Sequence, residues 1–272
     1  MAVALLLLFT LFPAYWMLVS ALDGKAGRGS SFVPAEPTLE HFEFVLTDGG
    51  FDVFLRNSLL VALGTVLVSS LLALLASVAV ARFRFRLRTQ VLMLVLIVQM
   101  VPLEALVIPL FVQVRNLDLL GTLTGLVVVY VALALPFGIW MLRGFVAAVP
   151  VELEEAAYLD GATWGGRMFR SILLPLVAPP GLVATSIFSF ITAWNEFVFA
   201  MTLLGGETQN YTVAIGLRSF FGQHSNDWGA IMAASTIITV PVMIFFILVQ
   251  RRLASGLTSG GAVKGEHRPA GR

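Results

Sequence analysis

The residues best suited to chemistry in this sequence form one acidic, alanine-rich run that ends in a glycine. The run is Glu154, Glu155, Ala156, Ala157, Tyr158, Leu159, Asp160 and Gly161. Carboxylates suit the positive start of a helix, alanines allow another surface to approach closely, and glycine permits a sharp exit from a helix. These properties are typical of a short helix that binds a soluble partner non-covalently. A helix that only covers the end of a helical bundle is an open alternative.

Residues for catalysis or metal binding are sparse. The chain has no cysteine, which excludes disulfide bonds and thiolate-bound zinc or iron–sulfur centres. The three histidines, His41, His224 and His267, are too widely separated to form a metal-binding motif. No serine–histidine or paired-aspartate arrangement indicates a nucleophile or a hydrolytic centre. We therefore expect no catalytic residues, no metal site and no enzyme activity.

The composition predicts a membrane protein. Of the 272 residues, 58% are hydrophobic and 12% are charged, whereas soluble domains carry about 25% charged residues. The apolar stretches are continuous rather than alternating, which favours membrane-spanning helices over barrel strands. The sequence thus predicts an all-α protein with a single transmembrane domain over residues 1–272 and six transmembrane helices. Their expected bounds are about 2–22, 57–81, 89–114, 119–142, 176–204 and 228–250.

The distribution of positive charge predicts the orientation. Lysine and arginine concentrate in residues 82–88, 143–170 and the tail 251–272. The positive-inside rule places these segments, both termini and the acidic run in the cytoplasm, and it places residues 23–56 and 205–227 outside. The first helix lacks the charged start of a signal peptide, so we interpret it as a membrane span. A protein with this orientation is expected to carry a short cytoplasmic segment before its first helix.

Arginine and phenylalanine alternate over residues 82–86. Such a pattern could bind nucleic acid through charge and stacking, but its place directly after a predicted membrane helix favours contact with lipid headgroups. We therefore expect lipid, and no nucleic acid, among the partners.

Several phrases of the sequence together resemble one known family. They are Glu155-Ala156-Ala157 with Gly161 and Ile172-Leu173-Leu174-Pro175, and the stretches 136–140, 193–197 and 256–265. In this order they are similar to the integral-membrane subunits of bacterial ABC importers that work with a solute-binding protein, and specifically to the second permease of maltose- and trehalose-type sugar importers. The resemblance implies the type I ABC importer permease fold. It also implies that the acidic run is a cytoplasmic coupling helix between transmembrane helices four and five, seated in a cleft of an ATP-binding subunit.

The resemblance further implies site residues and partners. The residues expected to couple to the ATPase are Glu154, Glu155, Ala156, Ala157, Asp160, Gly161 and Pro175. The expected partners are a second permease subunit, two ATP-binding subunits, an extracytoplasmic solute-binding protein, a sugar and the lipid of the bacterial inner membrane. Because the chain has no Gly-x-x-x-x-Gly-Lys-Ser/Thr phosphate-binding loop, the partner subunits would bind ATP and this chain would need no cofactor.

One departure from the family pattern concerns spacing. Pro175 lies fourteen residues after Gly161, whereas the family usually has thirteen. We therefore expect the helix register to shift after the coupling segment, while the acidic and alanine face before Gly161 is retained.

Polar residues of the predicted helices are the candidates for a substrate path. They are Asn57, Gln99, Glu104, Trp194, Asn195 and Glu196. An ionisable group such as Glu104 is costly in lipid, so it either lines an aqueous path or pairs with a neighbouring helix, and both interpretations stay open. The phrase Trp194-Asn195-Glu196 has chemistry suited to sugar binding. Family members that carry different sugars share it, which favours packing or gating.

The main alternative function is an ion-coupled secondary carrier for a small polar solute. Glu104 and Glu196 could act as coupled membrane charges, yet such a carrier has no need of an acidic docking run. The resemblance does not choose among maltodextrins, trehalose, chitin-derived disaccharides and glycerol phosphates.

Overall fold

A computed structural model of the protein describes residues 1–27, 32–177, 181–222 and 226–261. The regular backbone of these residues is helical, with isolated β-bridges at Asp23–Pro37 and Phe221–Asn226. The predicted all-α class is therefore confirmed for this part of the chain. The α-helices are α1 (Ala2–Ala21), α2 (Glu40–Leu46), α3 (Phe51–Arg82), α4 (Arg88–Gln99), α5 (Val107–Asn116), α6 (Leu123–Ala148), α7 (Val151–Leu159), α8 (Leu174–Val177), α9 (Val183–Asn195), α10 (Val198–Leu204), α11 (Val213–Arg218) and α12 (Trp228–Gly261). A π-helical segment covers Trp164–Leu173, and 3₁₀ turns cover Leu103–Leu106 and Thr208–Asn210.

Within the described residues, four helices are long and apolar enough to cross a membrane singly. These spans are Val3–Ala21, Phe51–Arg82, Leu123–Ala148 and Trp228–Val249, and they correspond to four of the predicted helices. The span in α6 begins four residues later than expected, after Asp118 and Gly121, whose φ angles of 55° and 73° are incompatible with a right-handed helix. The spans in α3 and α6 also run past the predicted ends, because helical backbone continues beyond the uncharged stretch.

The other two predicted spans are bent helix pairs rather than straight helices. The pair Arg88–Gln99 and Leu103–Asn116 is bent by 102°, and the pair Val183–Asn195 and Val198–Leu204 is bent by 58°. The predicted spans 89–114 and 176–204 thus each contain a bend between two helices. Pro102 accounts for the first bend, since proline lacks an N–H and disfavours helix in the residue before it. The described residues therefore hold four spans, or six if each bent pair crosses the membrane.

The chain divides into two compact units, the first of which contains residues 1–61, 111–126 and 194–244. Its core includes the rings of Phe51, Phe54 and Phe220, and the centroid of Phe51 lies 5.9 Å from each of the other two. Trp194 and Phe199 are also buried. Helix α1 adds little to this core, because only 6% of the residues in its membrane-length apolar stretch are buried.

Within the described residues, the second unit contains residues 62–110, 127–193 and 245–261. Its core joins α3, α6 and the segment that ends in α8, through Ala73, Leu74, Val78, Leu142, Val146, Val149, Leu173 and Val177. Gly138 allows α3 to approach α6 closely, since a Cβ at this position would lie 2.9 Å from the Cβ of Ala73. The hydroxyl of Ser69 donates to the hydroxyl of Ser189 at 3.1 Å, so buried hydroxyl groups of α3 and α9 satisfy each other.

The extra residue between Gly161 and Pro175 falls in a stretch with π-helical backbone. In this stretch the N–H of Met168 donates to the carbonyl of Thr163, five residues earlier, at 3.3 Å. A π-helical turn holds one residue more than an α-helical turn, and such turns are frequent at functional sites. The π geometry therefore offers a physical way to absorb the extra residue without breaking the helix.

Helix α12 is longer than the predicted span 228–250, since it continues to Gly261. The first part of the predicted tail, residues 251–261, is therefore helical. Residues 262–272 lie outside the described residues.

Candidate functional site

Helix α7 carries the acidic run and has defined boundaries. Pro150 precedes it and ends the preceding helix, because proline cannot donate the hydrogen bond that would continue α6. At the other end, Gly161 has a φ of 78°, and its N–H donates to the carbonyl of Tyr158 at 3.0 Å. A left-handed glycine is the common way to end a helix. The predicted sharp exit at Gly161 is thus present in the backbone.

One face of α7 is buried within the fold. Glu154 is 5% exposed and Ala157 is 8% exposed, and their spacing of three residues places them on the same side of the helix. Ala157 packs in a small apolar cluster with Ala162 and Met168. The small alanine is therefore used for intramolecular packing rather than for an approaching partner.

Glu154 forms a buried ion pair with Arg82, the last residue of α3. The carboxylate Oε1 lies 2.6 Å from the guanidinium Nε, and both side chains are less than 10% exposed, at 7% and 9%. Nη2 of Arg82 also donates to the carbonyl of Val149 at 2.8 Å. The residue types alone did not indicate this contact, because Arg82 and Glu154 are far apart in sequence.

The opposite face of α7 is open to solvent. Glu155, Ala156 and Asp160 are exposed, as the docking interpretation requires. Large apolar side chains are exposed beside them, namely Val151, Leu153, Tyr158 and Leu159, the last with 90% of its surface accessible. We call Val151, Leu153, Glu155, Ala156, Tyr158, Leu159 and Asp160 the open face of α7. Its apolar part went unnoticed in the sequence, where Leu153 and Leu159 could have indicated it.

Pro175, the remaining predicted coupling residue, lies in the short helix α8 and is exposed. It follows the π-helical segment directly, while Leu173 and Val177 on either side of it are buried in the core of the second unit. The chain thus runs from α7 through the π-helical segment into this core.

Several predicted substrate-path residues have hydrogen bonds within the fold. Asn57 is buried, and its amide donates to the carbonyls of Gln209 at 2.8 Å and Tyr211 at 3.1 Å. The two oxygens of Glu196 accept from the N–H groups of Phe199 at 2.9 Å and Ala200 at 3.0 Å, so this carboxylate caps α10 where the chain bends. Both residues therefore stabilise local structure.

The other path candidates differ in exposure. Trp194 is 1% exposed, whereas Asn195 is exposed. Gln99 and Glu104 are both exposed, and Glu104 lies in the 3₁₀ turn between α4 and α5 rather than inside a straight span. Glu104 therefore lies at the bend of the predicted span 89–114.

A cavity of about 190 Å³ lies in the first unit, and none of the path candidates lines it. Its lining residues include Trp16, Asp23 and Trp228. The pKa of Asp23 lies below its usual value, because the N–H groups of Lys25 and then Glu36 donate to its carboxylate.

The family of the chain follows from comparison with known proteins. A family model described as binding-protein-dependent transport system inner membrane component matches residues 69–259. The chain belongs to this family. The matched region contains α7, the π-helical segment and the C-terminal part of α3, so the pair between Arg82 and Glu154 lies within it.

Individual relatives cover nearly the whole chain. The diacetylchitobiose uptake system permease protein DasC of Streptomyces coelicolor is 40% identical over 93% of this chain and 92% of its own length. The trehalose/maltose transport system permease protein MalG of Thermococcus litoralis is 38% identical over 96% of this chain and 94% of its own length. The predicted membership of the binding-protein-dependent importer permeases is therefore confirmed.

A solved structure supports the fold. A chain from the crystal structure of a bacterial ABC transporter involved in the import of the acidic polysaccharide alginate matches with a TM-score of 0.77, covering 92% of this chain and 93% of that chain. The sequence identity is 21%, so this match concerns the fold alone. The chain is thus a multi-pass membrane component of a transport system, with the fold of an importer permease.

Proposed function

We propose that this chain is one of two permease subunits of an ATP-driven, binding-protein-dependent importer of oligosaccharides in a bacterial inner membrane. A second permease would complete the translocation path, and two ATP-binding subunits would supply the energy. The open face of α7 carries this proposal, because an exposed acidic and apolar helix face is the feature that a soluble partner would cover.

The chemistry of the open face favours protein over lipid. Leu159 is 90% exposed and Tyr158 is 56% exposed, which is costly in water and would be relieved by burial against a partner. Glu155 and Asp160 stand beside them, and the anionic inner leaflet of a membrane repels carboxylates. A cleft in an ATP-binding subunit that offers an apolar floor and basic or N–H groups matches both properties.

The proposed motion follows from the connections of α7. The chain enters α7 from α6 at Pro150 and leaves it at Gly161 through the π-helical segment toward α8. Closure of the ATP-binding subunits would displace α7, and the attached helices would move with it as rigid elements between inward-open and outward-open arrangements. ATP stays in the partner subunits, so this chain acts without a cofactor.

We propose the substrate class from the relatives. The two relatives described above are named for transport of diacetylchitobiose and of trehalose or maltose. All three are disaccharides, so the substrate expected here is a di- or oligosaccharide delivered by a solute-binding protein.

The proposal also includes an orientation with both termini and α7 in the cytoplasm. Arg84 and Arg86 are exposed directly after α3, where they suit anionic headgroups of the inner leaflet. Arg88 instead donates to the carbonyl of Val80 at 2.7 Å and so satisfies the C-terminal end of α3.

The test is a co-purification followed by a transport assay. The tagged chain is expressed with candidate second-permease and ATPase subunits from the same genome. Uptake of labelled diacetylchitobiose, maltose and trehalose is then measured in proteoliposomes with the candidate binding protein. We expect the ATPase to remain bound and uptake of at least one sugar to require ATP. Uptake by this chain alone under an ion gradient would instead support an ion-coupled carrier.

A single substitution tests the open face in the same assay. Glu155→Lys reverses the charge of an exposed carboxylate, so we expect ATP-dependent uptake and stimulated ATP hydrolysis to be lost, with the amount of protein in the membrane unchanged. Asp52→Asn, at an exposed carboxylate near the start of α3, is the control and should transport normally. Normal uptake with Glu155→Lys would contradict the docking assignment.

A further inference from the structure

We propose that Arg82 and Glu154 are positioning residues for energy coupling, because their buried ion pair fixes α7 to the end of α3. A displacement of α7 by the ATP-binding subunit would then reach α3 directly, in addition to the segment that follows α7 in the chain. This inference rests on the proposed function, since it concerns the inner side of the same short helix.

Arg82 holds three elements together through one rigid guanidinium. It is the last residue of α3, its Nε faces Glu154 of α7 at 2.6 Å, and its Nη2 donates to the carbonyl of Val149, just after α6, at 2.8 Å. The planar guanidinium presents donors in fixed directions, so these contacts define one relative placement of the three segments.

The pair is sensitive to the loss of either partner. Both side chains are more than 90% buried, and within the described residues neither Nε nor Oε1 has a hydrogen-bond partner, so their mutual contact is an ion pair. Each charge is therefore compensated mainly by the other. Removal of one would leave a buried charge without its counter-ion, whereas removal of both would leave two neutral side chains.

The pair also differs from the other attachment of α7. The apolar cluster of Ala157, Ala162 and Met168 joins α7 to the segment that comes next in the chain. The ion pair instead reaches a helix that lies far earlier in the sequence and is long enough to cross the membrane. The neighbouring carboxylates thus have separate roles, with Glu155 facing the partner and Glu154 facing α3.

The experiment is a double-mutant cycle on the complete importer in lipid nanodiscs and proteoliposomes. The variants are Arg82→Gln, Glu154→Gln, the double Gln variant and Arg82→Lys, and the exposed Arg84→Gln is the matched control. The measured quantity is the amount of sugar taken up per ATP hydrolysed. The sugar is one of diacetylchitobiose, maltose and trehalose, chosen because the wild-type importer transports it.

We expect each single Gln variant to lower uptake per ATP by about tenfold, as for residues that act as one unit, and the double variant to be no worse than either single. Arg84→Gln should stay near the wild-type ratio, because Arg82 still faces Glu154. Arg82→Lys should fall between wild type and Arg82→Gln, because it keeps a cation beside Glu154 but lacks the planar donor that reaches the carbonyl of Val149. Wild-type ratios in both single variants, or losses that multiply in the double variant, would overturn the inference.

A cross-linking measurement covers the case in which a single variant folds poorly. The chain has no cysteine, so Arg82→Cys with Glu154→Cys places the only two thiols where a bis-methanethiosulfonate reagent can join them. We expect the covalent link to raise uptake per ATP above that of the unlinked double variant, and a thiol reductant to reverse the gain. No gain would overturn the inference.

The outcome for the ATPase separates this inference from the proposed function. If the ATP-binding subunit does not copurify with the wild-type chain, the proposed function fails. If it copurifies and the wild-type importer carries sugar, but the variants match wild type, only the role of the ion pair fails.

Discussion

Gly161 allows a test of backbone conformation without a change in packing. Its φ is 78°, and a Cβ at this position would meet no atom within 4 Å. The cost of Gly161→Ala is therefore conformational, about 1–2 kcal/mol for a left-handed L-residue. We expect Gly161→Ala to lower ATP-dependent uptake several-fold, and Gly161→Pro to abolish it, because proline fixes φ near −65° and removes the N–H donated to Tyr158.

Gly144 of α6 is the matched control for this series. A Cβ there also meets nothing within 4 Å, and its φ is not positive. Gly144→Ala should leave uptake unchanged and stabilise the helix by about 0.5–1 kcal/mol. Equal uptake in Gly144→Ala and Gly161→Ala would show that the left-handed turn after α7 is not needed for coupling.

Substitution of Glu196 distinguishes a structural role of this residue from a role in the substrate path. Its carboxylate caps α10 through Phe199 and Ala200, and loss of a helix cap costs about 1 kcal/mol. We expect Glu196→Ala to lower the melting temperature in detergent by a few degrees and Glu196→Gln, which keeps one acceptor, to lower it less. The exposed Glu207→Ala is the control. An altered KM for sugar in Glu196→Gln, with no change in melting temperature, would indicate instead that Glu196 lies in the substrate path.

The sequence does not predict that the adjacent residues Glu154 and Glu155 have different surroundings. Residue types predicted an acidic coupling segment, and this segment is a helix that ends at a left-handed glycine. One step along a helix turns the side chain by about 100°, so two adjacent carboxylates point to different surroundings. The buried carboxylate is the one that faces Arg82, and the position of Arg82 depends on the packing of α3 against α6, which the residue types of α7 do not reveal.

At the scale of elements, α3 holds the segment 205–212 and the start of α11. Asn57 donates to the carbonyls of Gln209 and Tyr211, and the hydroxyl of Ser58 accepts from the N–H of Val213 at 2.8 Å. Asn57→Ala would remove the donor of two part-buried hydrogen bonds. We expect faster amide hydrogen exchange over residues 206–213, by about tenfold, with little change in the second unit.

Asn116, exposed at the end of α5, is the control for this element. Asn116→Ala should leave exchange over residues 206–213 at the wild-type rate. If Asn57→Ala also leaves exchange unchanged but weakens sugar uptake, Asn57 acts on the substrate and not on the segment 205–212.

Hydrophobic length predicts the straight helices better than the bent ones. The four straight spans follow from long uncharged stretches, since helical backbone satisfies its own hydrogen bonds in lipid. The bend near Pro102 has a signal in the sequence, because proline interrupts the helix there. The bend at Glu196 has no such signal in the sequence. A glutamate can cap a helix only where the fold brings its carboxylate to the first N–H groups of that helix, and residue type alone does not show this. The π-helical segment is likewise detectable only as one extra residue in a spacing.

For the molecule as a whole, helix α3 is long enough to reach from one membrane face to the other. Its 32 residues extend about 48 Å at 1.5 Å per residue, more than the roughly 30 Å of the hydrocarbon core. If α3 crosses the membrane as one helix, its start and Arg82 lie at opposite membrane faces. The backbone N–H of Gly121 donates to the carbonyl of Leu203 at 2.8 Å, and Asn210 donates to the carbonyl of Gly121 at 2.6 Å. These contacts associate the α5–α6 connection with the segment that Asn57 holds.

Single-cysteine labelling can test how many times the chain crosses the membrane, because the native chain contains no thiol. Asp118, Gln209 and Arg84 are exposed, and each is replaced by cysteine in turn. If both bent pairs cross the membrane, a membrane-impermeant maleimide should label positions 118 and 209 in intact spheroplasts and position 84 only after permeabilisation. Labelling of position 118 only after permeabilisation would make the first bent pair re-entrant. That result would also contradict the ion pair between Arg82 and Glu154, because α6 would then carry α7 to the face opposite Arg84.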